Sequence, residues 1–223
     1  MTIGRSALPP CIVSAALAAV AIAVLAGCGR AKSLDPTTAT AADYFPDPLQ
    51  LRLAEAVARG DVEANSDAVR RGANVNKAGR EGMRMLMWAM LKGSVAGYRA
   101  LLDHDADVLA VYFNPQRMKP GQTTGTVAEL TAAFSDKAFL HAMLEHGFDP
   151  NAIVRHDTLE TLLFYMVWRH DIEGAAVLLD AGANVNQAKS HGKTPLSLAV
   201  IIDDFRMAQY LLERGGDPSI RTE

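Results

Sequence analysis

A five-residue phrase built on glycine and asparagine recurs along the 223-residue chain and constrains its fold more than any other feature. Gly72-Ala73-Asn74-Val75-Asn76 reappears as Gly182-Ala183-Asn184-Val185-Asn186. Gly147-Phe148-Asp149-Pro150-Asn151 and Gly215-Gly216-Asp217-Pro218 are variants, and Asp105-Ala106-Asp107 is a degraded copy. Leucine pairs stand just before the phrase at Leu101/Leu102, Leu178/Leu179 and Leu211/Leu212. Such a pair is the apolar stripe of an amphipathic helix. The glycine behind it accepts a left-handed backbone at little steric cost, so it ends that helix. One unit of this kind cannot bury its own apolar face, but stacked neighbours share a continuous core.

The phrase and its surroundings resemble the ankyrin repeat. In that family a T-P-L-H-x-A motif opens the inner helix. Twenty-one residues before each phrase, the motif's starting position falls at Leu51, Arg84, Thr126, Thr161 and Thr194. Thr194-Pro195-Leu196-Ser197-Leu198-Ala199 is the fullest copy, and its proline is well tolerated at a first helical position. The third motif position is Leu53, Leu86, Leu163 and Leu196, with Ala128 as the exception. Starts at 51 and 84, and again at 161 and 194, are 33 residues apart, the ankyrin period. The resemblance covers roughly residues 47 to 220. It implies an all-α fold, an ankyrin-repeat solenoid of about five helix-turn-helix repeats with finger loops. The copies at Leu51 and Arg84 lack the Thr-Pro start, and an atypical first repeat is expected of a cap.

The N-terminal residues address compartment. Met1 to Arg5 carries one positive charge, and Cys11 to Leu25 is an almost unbroken apolar run of fifteen residues. At 1.5 Å per residue this falls short of about 30 Å of hydrocarbon, so it reads as an export signal. Leu25-Ala26-Gly27-Cys28 resembles the bacterial lipobox, which implies cleavage before Cys28 and lipid attached to it. An ordinary signal peptide with a chance cysteine is the alternative. Gly29 is not the aspartate that retains lipoproteins at the inner membrane, so the family pattern points to the periplasmic face of the outer membrane. The expected division is a signal peptide over 1–27, a lipidated flexible tether over 28–46, and a repeat domain over 47–223. The tether is rich in Ala, Thr and Asp with Pro36 and Pro46, a composition that resists folding. Both cysteines are thereby used, Cys11 lost with the signal and Cys28 as anchor. None remains for a disulfide, a thiolate nucleophile or a metal. A formal charge of −3 without a basic run argues against nucleic acid.

Binding residues are expected where the pattern breaks. Asp105 to Thr126 spans 21 residues instead of 12, so one finger carries nine extra. That segment, Val108 to Gly125, holds Tyr112, Phe113, Arg117, Met118 and Lys119 between Pro115, Pro120 and Gly121. A long insertion in a repeat protein usually maps to the binding face. Folding back to bury Tyr112 and Phe113 on their own repeat is the other outcome, and the two are compatible. The second break lies seven and eight residues after the motif start, where ankyrin inner helices close onto the concave groove. Those positions are Ala58 and Arg59, Leu91 and Lys92, Ala133 and Phe134, Trp168 and Arg169, and Ile201 and Ile202. Exposed in a row, Leu91, Phe134, Trp168, Ile201 and Ile202 with Arg169 would mark an interface. Turned inward, they would repack the core instead.

Catalytic signatures are missing. The six histidines form no H-E-x-x-H, and His141 and His146 are five apart, off one helical face. No G-x-S-x-G elbow appears. Met83, Met85, Met87 and Met90 could in principle bind Cu(I), but the inner helix they occupy makes gap-filling in the core the simpler role. The sequence therefore predicts a non-enzymatic protein without cofactor or metal. Its expected partner is a protein, with neither nucleic acid nor a small-molecule substrate. Lipid-anchored bacterial ankyrin proteins resemble the immunity proteins paired with type VI secretion effectors, including phospholipases, and the resemblance implies that role. The alternative is a scaffold or protector of a resident periplasmic enzyme.

Overall fold

A helix leaves its first amides unpaired, and this chain supplies a capping side chain at most of its helix starts. The computed structural model describes residues 38–112, 125–155 and 158–220. A short helix α1 (Ala41–Tyr44) comes first. Then follow pairs of inner and outer helices: α2 (Pro48–Arg59) with α3 (Val62–Arg70), and α4 (Met85–Leu91) with α5 (Val95–Leu102). Strands β1 (Val111–Tyr112) and β2 (Gly125–Thr126) precede α6 (Val127–Ala133) and α7 (Ala138–Glu145). Strands β3 (Ile153–Arg155) and β4 (Glu160–Thr161) precede α8 (Leu162–Trp168) and α9 (Ile172–Asp180). The last pair is α10 (Pro195–Ile201) and α11 (Phe205–Glu213). The described residues are thus mostly helical with little sheet, as expected of an all-α chain.

Outer helices start on Asp61, Ser94, Asp171 and Asp204, whose side chains accept from the amides of Ala64, Gly97, Gly174 and Met207 at 2.8–3.1 Å. The Met207 amide holds the Asp204 carboxyl below its usual range, with His170 Nδ1 2.7 Å away adding to the effect. Thr126 and Thr194 cap inner helices by accepting from Glu129 and Ser197. Lys137 breaks the outer-helix pattern. Its buried ammonium donates to the carbonyls of Ala132 and Phe134 and, at 2.5 Å, to Asp171.

Each inner helix packs against its own outer helix and against the next inner helix, in chain order from α2 to α10. The apolar motif positions Leu53, Leu86, Ala128, Leu163 and Leu196 are all buried between them. Met83, Met85, Met87 and Met90 are buried as well, filling the core beside Leu86 and Trp88. Gly72, Gly147, Gly182 and Gly215 take positive φ behind their outer helices, and Asp105 takes the same conformation (φ 58°) in the degraded copy.

The last asparagine of the phrase acts between repeats. Asn76 donates to the Asp105 carbonyl at 3.0 Å and accepts from the Asp107 amide at 2.7 Å. Asn151 does the same to Gly182 and Asn184, and Asn186 to Gly215 and Asp217. Leu109 occupies this place in the degraded copy and has no amide to offer. Asn186→Ala should therefore unpair two backbone groups of the next turn and cost about 1–2 kcal/mol, given their partial exposure. Urea unfolding of wild type and variant measures it. A change within error would make the phrase a turn signal only.

The folded body begins before residue 47, which corrects the expected extent of the tether. Tyr44 and Phe45 are buried, their rings edge-on to Trp88 at 5.9 and 6.1 Å. Lys92 lies over that indole at 4.4 Å and donates to the Ala39 carbonyl at 3.2 Å. The physical reason is that α2–α4 would otherwise leave the large Trp88 ring open to water. Two aromatic residues near the end of the tether-like segment close it. Among the described residues no helix is long and apolar enough to cross a membrane.

Candidate protein-binding surface

The fingers are built by strands that extend the loops between repeats. In the first, Val111 pairs with Thr126 and Tyr112 with Gly125, and the amides of Val127 and Ala128 donate to Ala110 and Val108. The expected insertion thus leaves the body on a two-stranded base. Arg84, the residue that displaces the motif threonine, fastens that base by donating to the carbonyls of Val111 at 2.9 Å and Asn76 at 3.0 Å. Leu109 and Val111 are exposed. Of the residues named in the insertion, Tyr112 is described only in its backbone pairing. Phe113, Arg117 and Lys119 lie outside the described residues, as does Cys28.

A second finger, β3–β4, was not expected from the sequence. The signal was present, because Gly147 to Thr161 is two positions longer than Gly182 to Thr194. It lies against the first finger, β3 beside β2. Buried Glu129 joins them. Its carboxylate accepts from the Thr126 amide at 2.8 Å, closing the α6 cap, and from Arg155 Nε of β3 at 2.6 Å. Glu129 and Glu160 both help to hold Arg155 above its ordinary value, the direct hydrogen bond to Glu129 contributing most. The next junction repeats the device with Glu160 paired to Lys189, and the Ser190 hydroxyl donates to the Thr158 carbonyl at 2.7 Å. Arg84, Glu129, Arg155, Glu160 and Lys189 each belong to one repeat and bind the next. No local motif marks them, since partners 26 to 29 residues apart meet only after stacking.

Trp168 ends α8 and reaches this face through Lys189. Phe164 and Trp168 are four apart on α8 and so share one side of the helix, their side chains leaning toward its start. Phe164 is fully buried, whereas Trp168 is 50 % exposed. The Lys189 ammonium lies 5.3 Å from the Phe164 ring and 5.9 Å from the Trp168 ring, tying the helix to the following loop. Arg169 is exposed, with its guanidinium 5.8 Å from the Tyr165 ring and a bond of 3.4 Å to the Ala133 carbonyl. The face therefore offers an indole ring, partly free, beside a cation that is paired with Glu160.

The other inner-helix ends behave differently. Leu91, Phe134 and Ile202 are half-buried and lean on the core. Phe134 ends α6 in extended backbone (ψ 142°), which sets its ring edge-on against Phe139 at 5.4 Å. Ile201 is exposed, but it opens toward the outer side of the last helix pair, lining a groove with Val200, Phe205 and Leu212. The expected continuous apolar row is thus interrupted at Leu91, Phe134 and Ile202, and Trp168 with Arg169 is its exposed remnant on the finger side.

Two polar side chains are satisfied within the chain. Burial pushes the Tyr98 phenol well above its ordinary value, and its hydroxyl is satisfied at 2.8 Å by Thr131. His146 bridges the Ala142 carbonyl and Asp103, again one repeat to another.

The family model for the ankyrin repeat matches residues 191–223, the segment that contains α10 and α11. This supports an ankyrin-repeat protein and, with it, a role in protein–protein interaction. The chain matches no curated protein.

Proposed function

We propose that the whole body from α2 to α11 is a solenoid of about five ankyrin-type repeats that binds a protein partner on its finger-side face and performs no chemistry of its own. The observation that carries this is the half-exposed Trp168, with the Lys189 ammonium 5.9 Å from its ring and the exposed Arg169 next in the chain. Tryptophan and arginine are over-represented among binding hot spots. The rigid junctions through Glu129–Arg155 and Glu160–Lys189 support it by presetting the surface, so little ordering is lost on binding. The insertion base at Leu109 and Val111 adds further exposed apolar surface.

The resemblance to lipobox-bearing ankyrin proteins adds the finer reading: a lipid-anchored protein on the periplasmic face of the outer membrane that neutralises a secreted antibacterial effector, such as a phospholipase delivered by type VI secretion. A blocking protein must stand where the toxin arrives and bind tightly, and it needs no active site. This role rests on analogy between folds and motifs rather than on a site. Expression of the full chain in a sensitive bacterium challenged with the cognate effector tests it. Protection that is lost in Trp168→Ala supports the reading. Unchanged killing, with capture of an intact resident enzyme by the tagged chain, replaces it by the scaffold role.

The anchor is tested separately. Cys28→Ala should abolish fatty-acid labelling of the chain and leave an uncleaved precursor on a gel. Labelling that persists in the variant removes the lipid from this account.

A further inference from the structure

We propose that two copies of this chain associate through the outer side of the last helix pair, with their α11 helices antiparallel about a two-fold axis. The surface concerned is the opposite of a polar cap. Val200 is 51 %, Ile201 57 %, Phe205 69 % and Leu212 48 % exposed. They border a groove of about 550 Å³ whose floor is formed by Leu196 and Ala208 and whose far wall is Ile220. One 33-residue period earlier the matching positions are protected, apart from Trp168, the counterpart of Ile201, which is 50 % exposed. Val167 and Ala175 are fully buried, and Ile172 and Leu179 lean on the core. The last pair therefore carries the stacking chemistry of an internal unit on a side that no described element covers. A contiguous apolar surface of this kind marks an association site.

Charge chooses the occupant. On α11 the apolar positions Phe205, Ala208 and Leu212 form one row. Arg206, Gln209 and Glu213 follow the same spacing along its border, all three exposed, with the cation at one end, the anion at the other and the amide midway. The Gln209 amide donates to the Glu213 carboxylate at 2.9 Å, which keeps that acid on this border. A second α11 laid antiparallel across the first, with the axis near Gln209, places each Arg206 against Glu213 of the other copy. Each Phe205 then enters the groove beside Leu212 of the other copy. Parallel helices would set like charges together. A border that is its own complement after a half-turn is what an isologous contact requires, and an unrelated partner imposes no such symmetry. Asp204 takes no part, because it is engaged by the Met207 amide and His170.

Sedimentation equilibrium of the full chain in detergent micelles tests this, using the protein component's mass. Wild type should be a concentration-dependent dimer. Arg206→Glu and Glu213→Arg should each weaken association about ten-fold, since each turns two attractions into two repulsions. The double reversal should restore it, a result that misfolding or an apolar N-terminal segment cannot produce. Phe205→Asp should give monomers that melt where wild type does when diluted below its association range. A wild type that stays monomeric overturns the proposal. Dimers indifferent to both charge reversals and to Phe205→Asp overturn it too, and Trp168→Ala should leave the dimer untouched, so failure here is separable from failure of the partner-binding reading.

Discussion

Trp88→Ala is expected to lower the stability of the folded body by about 3–5 kcal/mol, the usual cost of emptying a large aromatic site. The ring is fully enclosed by Tyr44, Phe45 and the α2–α4 contact, so the cavity cannot collapse without moving a helix. The loss includes the buried bond from Nε1 to the Ala54 carbonyl at 2.9 Å. Phe45→Ala should cost a comparable amount, because it opens the same cluster from the other side. Denaturant unfolding followed by circular dichroism measures both. The pair is informative about where the fold begins. If residues 39–46 were a tether, Phe45→Ala would change stability by less than about 0.5 kcal/mol, as a surface substitution does. Gly79 adds an independent check. A Cβ there would stand 2.7 Å from the Phe45 ring and from the Tyr44 carbonyl, so Gly79→Ala should loosen α1 while leaving the distant last pair intact.

How much of this was legible in the sequence follows from the range over which each interaction acts. The helix pairs were readable because their signals are local. Thr194 caps within four residues, the leucine pairs lie on one helical turn, and the glycine at the end of each outer helix needs only its own backbone. The cap over Trp88 was not readable. Tyr44 and Phe45 sit in an alanine- and threonine-rich stretch whose composition says tether, and only the indole 43 residues later gives them a reason to fold. The finger junctions were hidden for the same reason, since Glu129 with Arg155 and Glu160 with Lys189 look like ordinary surface charges until stacking brings them together. Register gave the inner-helix ends correctly but not their rotamers. Phe134 turned inward because its backbone leaves the helix at that residue, whereas Trp168 is followed by helical Arg169 and stays on the surface.

Trp168→Ala should weaken binding of the protein partner by about 2 kcal/mol or more, roughly a thirty-fold rise in Kd, while the melting temperature of the free chain barely moves. The two halves of this expectation come from the same geometry. With half of its surface already in water, the indole contributes little buried area to the isolated fold, and Phe164 one turn earlier remains in the core without it. Against a partner the remaining half would be desolvated beside Lys189, where a cation near the ring adds to the apolar gain. Lys189→Met sharpens the test. It removes the cation but leaves Glu160 partly buried without its ion pair, so it should cost stability as well as affinity. Arg169→Ala should lower affinity alone, because Arg169 is itself exposed and its one hydrogen bond, to Ala133, is long at 3.4 Å. Titration calorimetry with the partner and thermal unfolding of each variant separate these outcomes. A loss of 3–5 kcal/mol of stability in Trp168→Ala would place the ring in the core. The exposed insertion base at Leu109 and Val111 would then be the surface on which a partner must be sought.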